Sequence, residues 1–192
     1  MDISKTTISL ARFIKQFRKD ILSGQGILMD ISFEEMTQEH VAPALEIYNY
    51  YIRNSTATFH KTELDENEMR KILFHNNPKY RSYAVLLDKC LCGYVLLTQH
   101  KVRQAFDFTA EVTLYLKHDC TGRGIGTRSL EFIEQYARTT DIHVLVSTIS
   151  GENDSSCRLF QKQGYEKCAH YREVGYKFDR WVDLVVYQKI IS

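Results

Sequence analysis

The sequence predicts one α+β domain in which a mixed sheet carries helices on both faces. Three observations lead there. Apolar residues recur at strand spacing in some stretches and at helical spacing in others, in the order β-αα-βββ-α-β-α-ββ. One glycine-rich turn joins a strand directly to a helix in mid-chain, after a strand meander. Finally, 192 residues with 44% hydrophobic content suffice for a single domain with a sizeable core.

The elements follow in order. Residues 1–28 stand apart as an N-terminal helical extension. Leu10, Phe13, Ile14, Phe17 and Ile21 share one helical face, basic residues fill the rest, and Ser23-Gly24 resembles a stop. Such a helix packs on its own domain or on a partner subunit, lies on a membrane surface, or precedes a body that starts at Met29. Residues 29–192 make up the domain. A short strand is expected over 31–33. Thr37 caps a helix whose apolar face holds Val41, Ala44, Leu45, Ile47 and Tyr48, and a second helix covers 64–74. Strands over 82–87 and 91–98 flank a turn at Asp88-Lys89-Cys90. A long strand (108–116), a helix (124–137), a strand (143–148) and a helix (153–163) ended by Gly164 come next. Two strands close the chain around Trp181.

Composition narrows the class. A net charge of +1 gives no reason to expect nucleic acid or an anionic membrane as a partner. Charges interrupt every apolar run of the first 28 residues, so no secretory leader is read there. The five cysteines, Cys90, Cys92, Cys120, Cys157 and Cys168, then point to reduced thiols in a cytoplasmic protein. Cys90-x-Cys92 lacks a second pair at zinc-site spacing, so no metal is expected. Neither Cys120 nor Cys157 has an obvious histidine partner for acyl-carrying chemistry, although His118 is near Cys120 in sequence.

Residues 111–127, E-V-T-L-Y-L-K-H-D-C-T-G-R-G-I-G-T, carry the most chemistry. A β-branched strand with an acid at its start runs through a polar turn into glycines and then a helix. Backbone N–H groups converging at that helix N-terminus can hold a pyrophosphate. The same glycines also serve a tight turn with no ligand. A Walker-type loop ending in Gly-Lys-Ser/Thr is absent, and the mid-chain position does not suit a dinucleotide fingerprint. Glu111 offers a general base, or else a strand-end acid paired with a cation such as Arg103. Cradle and acid together read as a transferase working on a nucleotide-bearing cofactor.

A second segment, Asn153-Asp-Ser-Ser-Cys157-Arg-Leu-Phe160-Gln-Lys-Gln-Gly-Tyr165, follows the next strand. With Thr121-Gly-Arg-Gly124-Ile-Gly126 it resembles the GNAT superfamily of N-acetyltransferases. The acetyl-coenzyme A motif there is Gln/Arg-x-x-Gly-x-Gly/Ala, and Thr121 replaces its leading residue. Three further runs resemble the phosphinothricin N-acetyltransferases of that superfamily. They are Lys101-x-Arg103-x-Ala105-Phe106-Asp107-Phe108-Thr109-Ala110-Glu111, Ser55-Thr-Ala-Thr-Phe59 and Gly175-Tyr-Lys177-Phe-Asp-Arg-Trp181-Val-Asp183. The resemblance spans about residues 29–188. It implies a GNAT-type central mixed, mostly antiparallel sheet, acetyl-coenzyme A as cosubstrate, and a homodimer. It also implies direct transfer of acetyl to the amino group of a small amino-acid-like substrate such as phosphinothricin, methionine sulfoximine or methionine sulfone.

Roles are carried over residue by residue. Glu111 resembles the family's general base. The resemblance assigns the coenzyme to the Leu114, Tyr115 and Leu116 strand, and to the cradle Thr121, Gly122, Arg123, Gly124, Ile125, Gly126 and Thr127. Asn153, Ser156 and Phe160 complete that set, Asn153 reading equally as a helix N-cap. Phe160 stands where many members have tyrosine and has no proton for the departing thiolate. Unprotonated departure, water and Tyr165 are the alternatives. Lys101 and Arg103 are candidates for an anionic group on the substrate, or are solvated loop charges. Phe59, Phe106 and Trp181 wall the pocket, or serve as core or dimer contacts. Protein or peptide N-terminal acetylation and a non-catalytic acyl-coenzyme A sensor remain as competing functions.

Overall fold

The computed structural model describes residues 30–191, so the extension expected over 1–28 lies outside the described residues. In chain order the elements are β1 (Ile31–Glu35), α1 (Val41–Asn54), α2 (Glu66–Leu73), β2 (Ser82–Leu87), β3 (Cys90–Gln99), β4 (Thr109–Leu116) and α3 (Ile125–Ala137). β5 (Val144–Ser150), α4 (Asp154–Lys162), β6 (Glu166–Lys177) and β7 (Arg180–Ile190) follow. This is the order read from the sequence. The seven strands form one sheet, β1-β2-β3-β4-β5-β7-β6. Every neighbouring pair is antiparallel except β4–β5. The expected mixed, mostly antiparallel sheet is therefore present.

Strand alternation divides the core into two layers. Tyr83 and Val85 of β2 face α3, where Leu130, Phe132 and Ile133 are fully buried and Phe132 stacks on Phe33 at 4.2 Å. Ala84 and Leu86 face the other way, onto Val41, Ala44, Ile47 and Ile52 of α1 and Met69 and Leu73 of α2. Helices thus cover both faces. α2 starts at Glu66, two residues later than the apolar pattern suggested. Asp65 caps it: its carboxylate accepts from the Glu68 N–H, and the Glu68 carboxylate accepts from the Asp65 N–H, both at 2.9 Å.

Two tight hairpins use left-handed residues. Asp88 and Lys89 turn β2 into β3 at φ of 50° and 66°, as the sequence suggested. Phe178 and Asp179 turn β6 into β7 at 52° and 57°. An aromatic residue at positive φ is costly. Here the Phe178 ring faces the Lys177 ammonium at 5.0 Å and the Arg180 guanidinium at 6.0 Å, which offsets part of that cost.

The feature that makes a site is the short β4–β5 ladder. It holds only three rungs: Thr109 with Val144, Ala110 with Leu145, and Glu111 with Val146. Beyond Glu111, β4 continues beside β3 as far as Leu116, and β5 continues beside β7 as far as Ser150. The two central strands part, and a cleft opens between them.

Candidate active site

The cleft encloses ≈ 460 Å³. Its walls are the free half of β4, the end of β5, the glycine turn before α3 and the start of α4. Strand alternation aims the β4 backbone. Lys117 N–H bonds the Cys92 carbonyl of the β3 side, so Leu116 and Leu114 turn their backbone groups the other way. The Leu116 carbonyl accepts from the Tyr51 hydroxyl at 2.6 Å, whereas Leu114 faces the cleft opposite no strand.

The glycine turn lies across from it. Gly122 and Gly124 hold φ of 75° and 76°, and a Cβ on either would meet nothing within 4 Å. Conformation, not crowding, requires glycine there, and the space above the turn is open. Gly126 has a different reason: a Cβ would come within 2.9 Å of Leu159, so its absence lets α3 close on α4. Thr121 donates to the His118 carbonyl at 2.8 Å and shapes the approach. Asn153 caps α4, its Oδ1 accepting from the Ser156 N–H at 3.1 Å and the Ser155 hydroxyl at 2.9 Å.

Of the sequence-derived coenzyme residues, all but two line this one cleft. The exceptions are Arg123, which is exposed beside it, and Ile125, which is wholly buried under the turn. Glu111 lies at the point of divergence. Its Oε1 accepts from the hydroxyl of Thr148, a cleft residue, at 2.6 Å. Phe59, Lys101, Arg103 and Phe106 are exposed and outside the cleft lining. Among the described residues the Arg103 and Lys101 side chains have no partner, so the Arg103–Glu111 pair, the alternative to a general base, does not form. His100 takes that place, its Nδ1 3.7 Å from Glu111 Oε2.

Residues 44–165 match the model of the acetyltransferase (GNAT) family. The chain belongs to that family. The acetyltransferase is 27% identical over 157 residues to phosphinothricin N-acetyltransferase of Streptomyces coelicolor, covering 79% of this chain and 91% of the relative. It is 30% identical over 148 residues to L-methionine sulfoximine/L-methionine sulfone acetyltransferase of Pseudomonas aeruginosa, covering 75% and 85%. The fold matches a GNAT superfamily phosphinothricin acetyltransferase from Sinorhizobium meliloti, solved in complex with acetyl-coenzyme A. That match has a TM-score of 0.78 and 24% identity, over 84% of this chain and 89% of the other. This protein is an acetyl-coenzyme A-dependent N-acetyltransferase.

The cleft suits the acetyltransferase's cosubstrate. A glycine turn with open space above it, at a helix N-terminus, fits a pyrophosphate, and the unpaired edge of β4 fits an amide-bearing arm. Two wall residues come from far away in sequence and were not foreseen, Tyr51 at the end of α1 and Ala57 beyond it. Tyr115 donates to the Ala57 carbonyl at 3.2 Å. Burial raises the Tyr51 and Tyr115 hydroxyls above their usual range, so both stay protonated donors at neutral pH.

A buried cation fixes the same segment. Lys177, 3% exposed, sends Nζ to the carbonyls of Ser55 at 2.7 Å and Thr58 at 2.9 Å. Desolvation pulls its ammonium below the usual lysine value. Gly175 next door seats the Phe59 ring, since a Cβ there would come within 2.6 Å of it. Phe59 therefore packs on β6.

None of the five thiols, nor Tyr165, is among the residues that line the cleft. Burial, reinforced by Cys120, pushes the Cys92 thiol up to about 12, and burial followed by Asp119 raises Cys120. Tyr165 is buried behind Phe160, its ring edge-on at 4.9 Å, and is not part of the cleft wall. Among the described residues no group of three or more His, Cys, Asp or Glu is arranged to hold a metal, and no helix is long and apolar enough to cross a membrane.

Proposed function

We propose that the protein acetylates the α-amino group of a small amino-acid-like substrate of the phosphinothricin, methionine sulfoximine or methionine sulfone type, with Glu111 as general base. The observation that carries this reading is the seat of Glu111. It occupies the last rung before β4 and β5 part, with one carboxylate oxygen held by Thr148 of the cleft and the other 3.7 Å from His100 Nδ1. The relatives' substrates are the reason to name that class.

The bound coenzyme thioester supplies the acetyl group. An amine that is an ammonium at neutral pH must first lose a proton, and the Glu111 carboxylate receives it. The backbone of Leu114 offers an oriented donor toward the cleft. Phe160 gives no proton, so the thiolate leaves bare or is protonated by water. Arg103 and Lys101, unpaired and close to Glu111 in sequence, recognise the substrate's anionic group.

The protein works as a cytoplasmic homodimer. Support for the dimer is the exposed aromatic surface of the β6–β7 hairpin, where Trp181, 60% exposed, and Tyr176 meet at 5.0 Å. Support for the compartment is that all five cysteines are free.

Coenzyme A thiol release tests the substrate class. Phosphinothricin, methionine sulfoximine, methionine sulfone, polyamines and short peptides are offered in turn with acetyl-coenzyme A. Turnover confined to the amino-acid analogues is expected. Turnover confined to peptides would transfer the activity to protein N-termini, and acetyl-coenzyme A binding without turnover on any of these amines would point to a substrate outside the set or to a sensor.

A further inference from the structure

His100 directly follows Gln99, the last residue of β3, and opens the connection that carries Lys101, Arg103 and Phe106. Its Nδ1 is fully enclosed and has no hydrogen-bond partner. Buried polar atoms are normally satisfied, so an orphan of this kind asks for an explanation. The nearest charge is Glu111 Oε2 at 3.7 Å, the carboxylate oxygen that Thr148 does not hold. The rest of the ring is differently placed. The His100 side chain is 20% exposed, and Nε2 is not among the enclosed orphan atoms, so Nε2 is the nitrogen that reaches solvent. Phe106 braces the imidazole edge-on, with centroids 6.0 Å apart.

Proton bookkeeping gives that arrangement a use. Converting an ammonium to an amide releases two protons from nitrogen; the departing thiolate takes one, and the other must reach bulk water. The Glu111 side chain is 28% exposed, and an amine seated against it covers part of that exposure. We propose that His100 is a relay residue that acts through Glu111 and carries this proton out. Glu111 Oε2 takes the proton from the substrate ammonium and passes it to the lone pair on His100 Nδ1. The resulting imidazolium gives its Nε2 proton to water or buffer; once the product has left, Nε2 takes a proton back from solvent and Nδ1 returns its own through Glu111 to the reopened cleft, which restores the starting tautomer. Glu111 is again a carboxylate. The 3.7 Å separation is a few tenths of an ångström beyond a hydrogen bond, and catalytic contacts of this kind tighten when substrate binds.

The relay rests on Glu111 being the base, and chemical rescue separates the two ideas. Turnover at saturating acetyl-coenzyme A and amine is measured for wild type, His100→Ala, His100→Phe and Glu111→Gln, over a range of free imidazole. His100→Ala is expected to lose up to about 10²-fold in kcat and to regain most of it, saturably, as imidazole fills the vacated space. His100→Phe, which keeps a ring against Phe106, should show the same loss without rescue and retain wild-type acetyl-coenzyme A affinity. Glu111→Gln should fall and stay low at every imidazole concentration. Full-speed His100→Ala, or a loss that imidazole does not touch, would overturn the relay and leave His100 a packing partner of Phe106. If Glu111→Gln keeps wild-type speed, the base assignment fails and the relay with it.

Discussion

The Thr148 hydroxyl donates to Glu111 Oε1 at 2.6 Å across the point where β4 and β5 separate. Glu111 pairs with Val146, and Thr148 is two residues farther along β5, hence on the same side of the sheet. One oxygen of the carboxylate is thereby fixed, and the other is left for a proton in transit. Thr148→Val keeps the shape and removes the donor. A hydrogen bond to a charged group contributes about 1.5 kcal/mol or more, so kcat/KM should fall roughly tenfold. Thr148→Ser should restore most of it. Steady-state kinetics of the two variants decide the point.

Gly124 tests the cradle separately from the base. A Cβ there has room, but φ of 76° costs an L-residue about 1–2 kcal/mol. Gly124→Ala should therefore weaken acetyl-coenzyme A binding by roughly tenfold in calorimetric titration, given 1.4 kcal/mol per decade. Turnover at saturating coenzyme should stay close to wild type.

Lys177→Met should destabilise the fold. The buried carbonyls of Ser55 and Thr58 would lose their donor. Each orphaned buried group costs about 1–3 kcal/mol, which a urea unfolding curve resolves. The same change frees the 55–59 segment, and with it Ala57 of the cleft wall.

Acid stability tests a second tether of that segment. The Glu152 carboxylate accepts from Arg180 at 2.7 and 3.0 Å and from the Thr56 hydroxyl at 3.0 Å. The Arg180 hydrogen bonds, foremost, hold it below its ordinary value of 4.5. A carboxyl depressed in the folded state stabilises fully above its unfolded value and loses that contribution as pH falls through the folded one. Wild type should thus lose stability more steeply below pH 4.5 than Glu152→Gln, while being the more stable of the two near neutrality. Thermal melts between those limits measure both slopes.

Much of this was legible in the chain. Period-2 and helical patterns gave the element order, because both core layers depend on them: Tyr83 and Val85 inward on one face, Ala84 and Leu86 on the other. The glycine turn was legible because positive φ at Gly122 and Gly124 needs glycine. The Phe178-Asp179 turn was not, since an aromatic at positive φ carries no turn signature and is offset only by its neighbouring cations. Tyr51 and Ala57 escaped for a different reason: they reach the cleft through tertiary contacts with Leu116 and Tyr115, 65 and 58 residues away. His100 and Thr148 escaped because their meaning depends on the register that sets them beside Glu111.

The most direct measurement is turnover of Glu111→Gln against pH, with acetyl-coenzyme A affinity measured on the same protein. A loss of about 10²–10⁴-fold in kcat with coenzyme affinity unchanged is expected. Near-wild-type turnover across the pH range would contradict it and remove Glu111 from the chemistry.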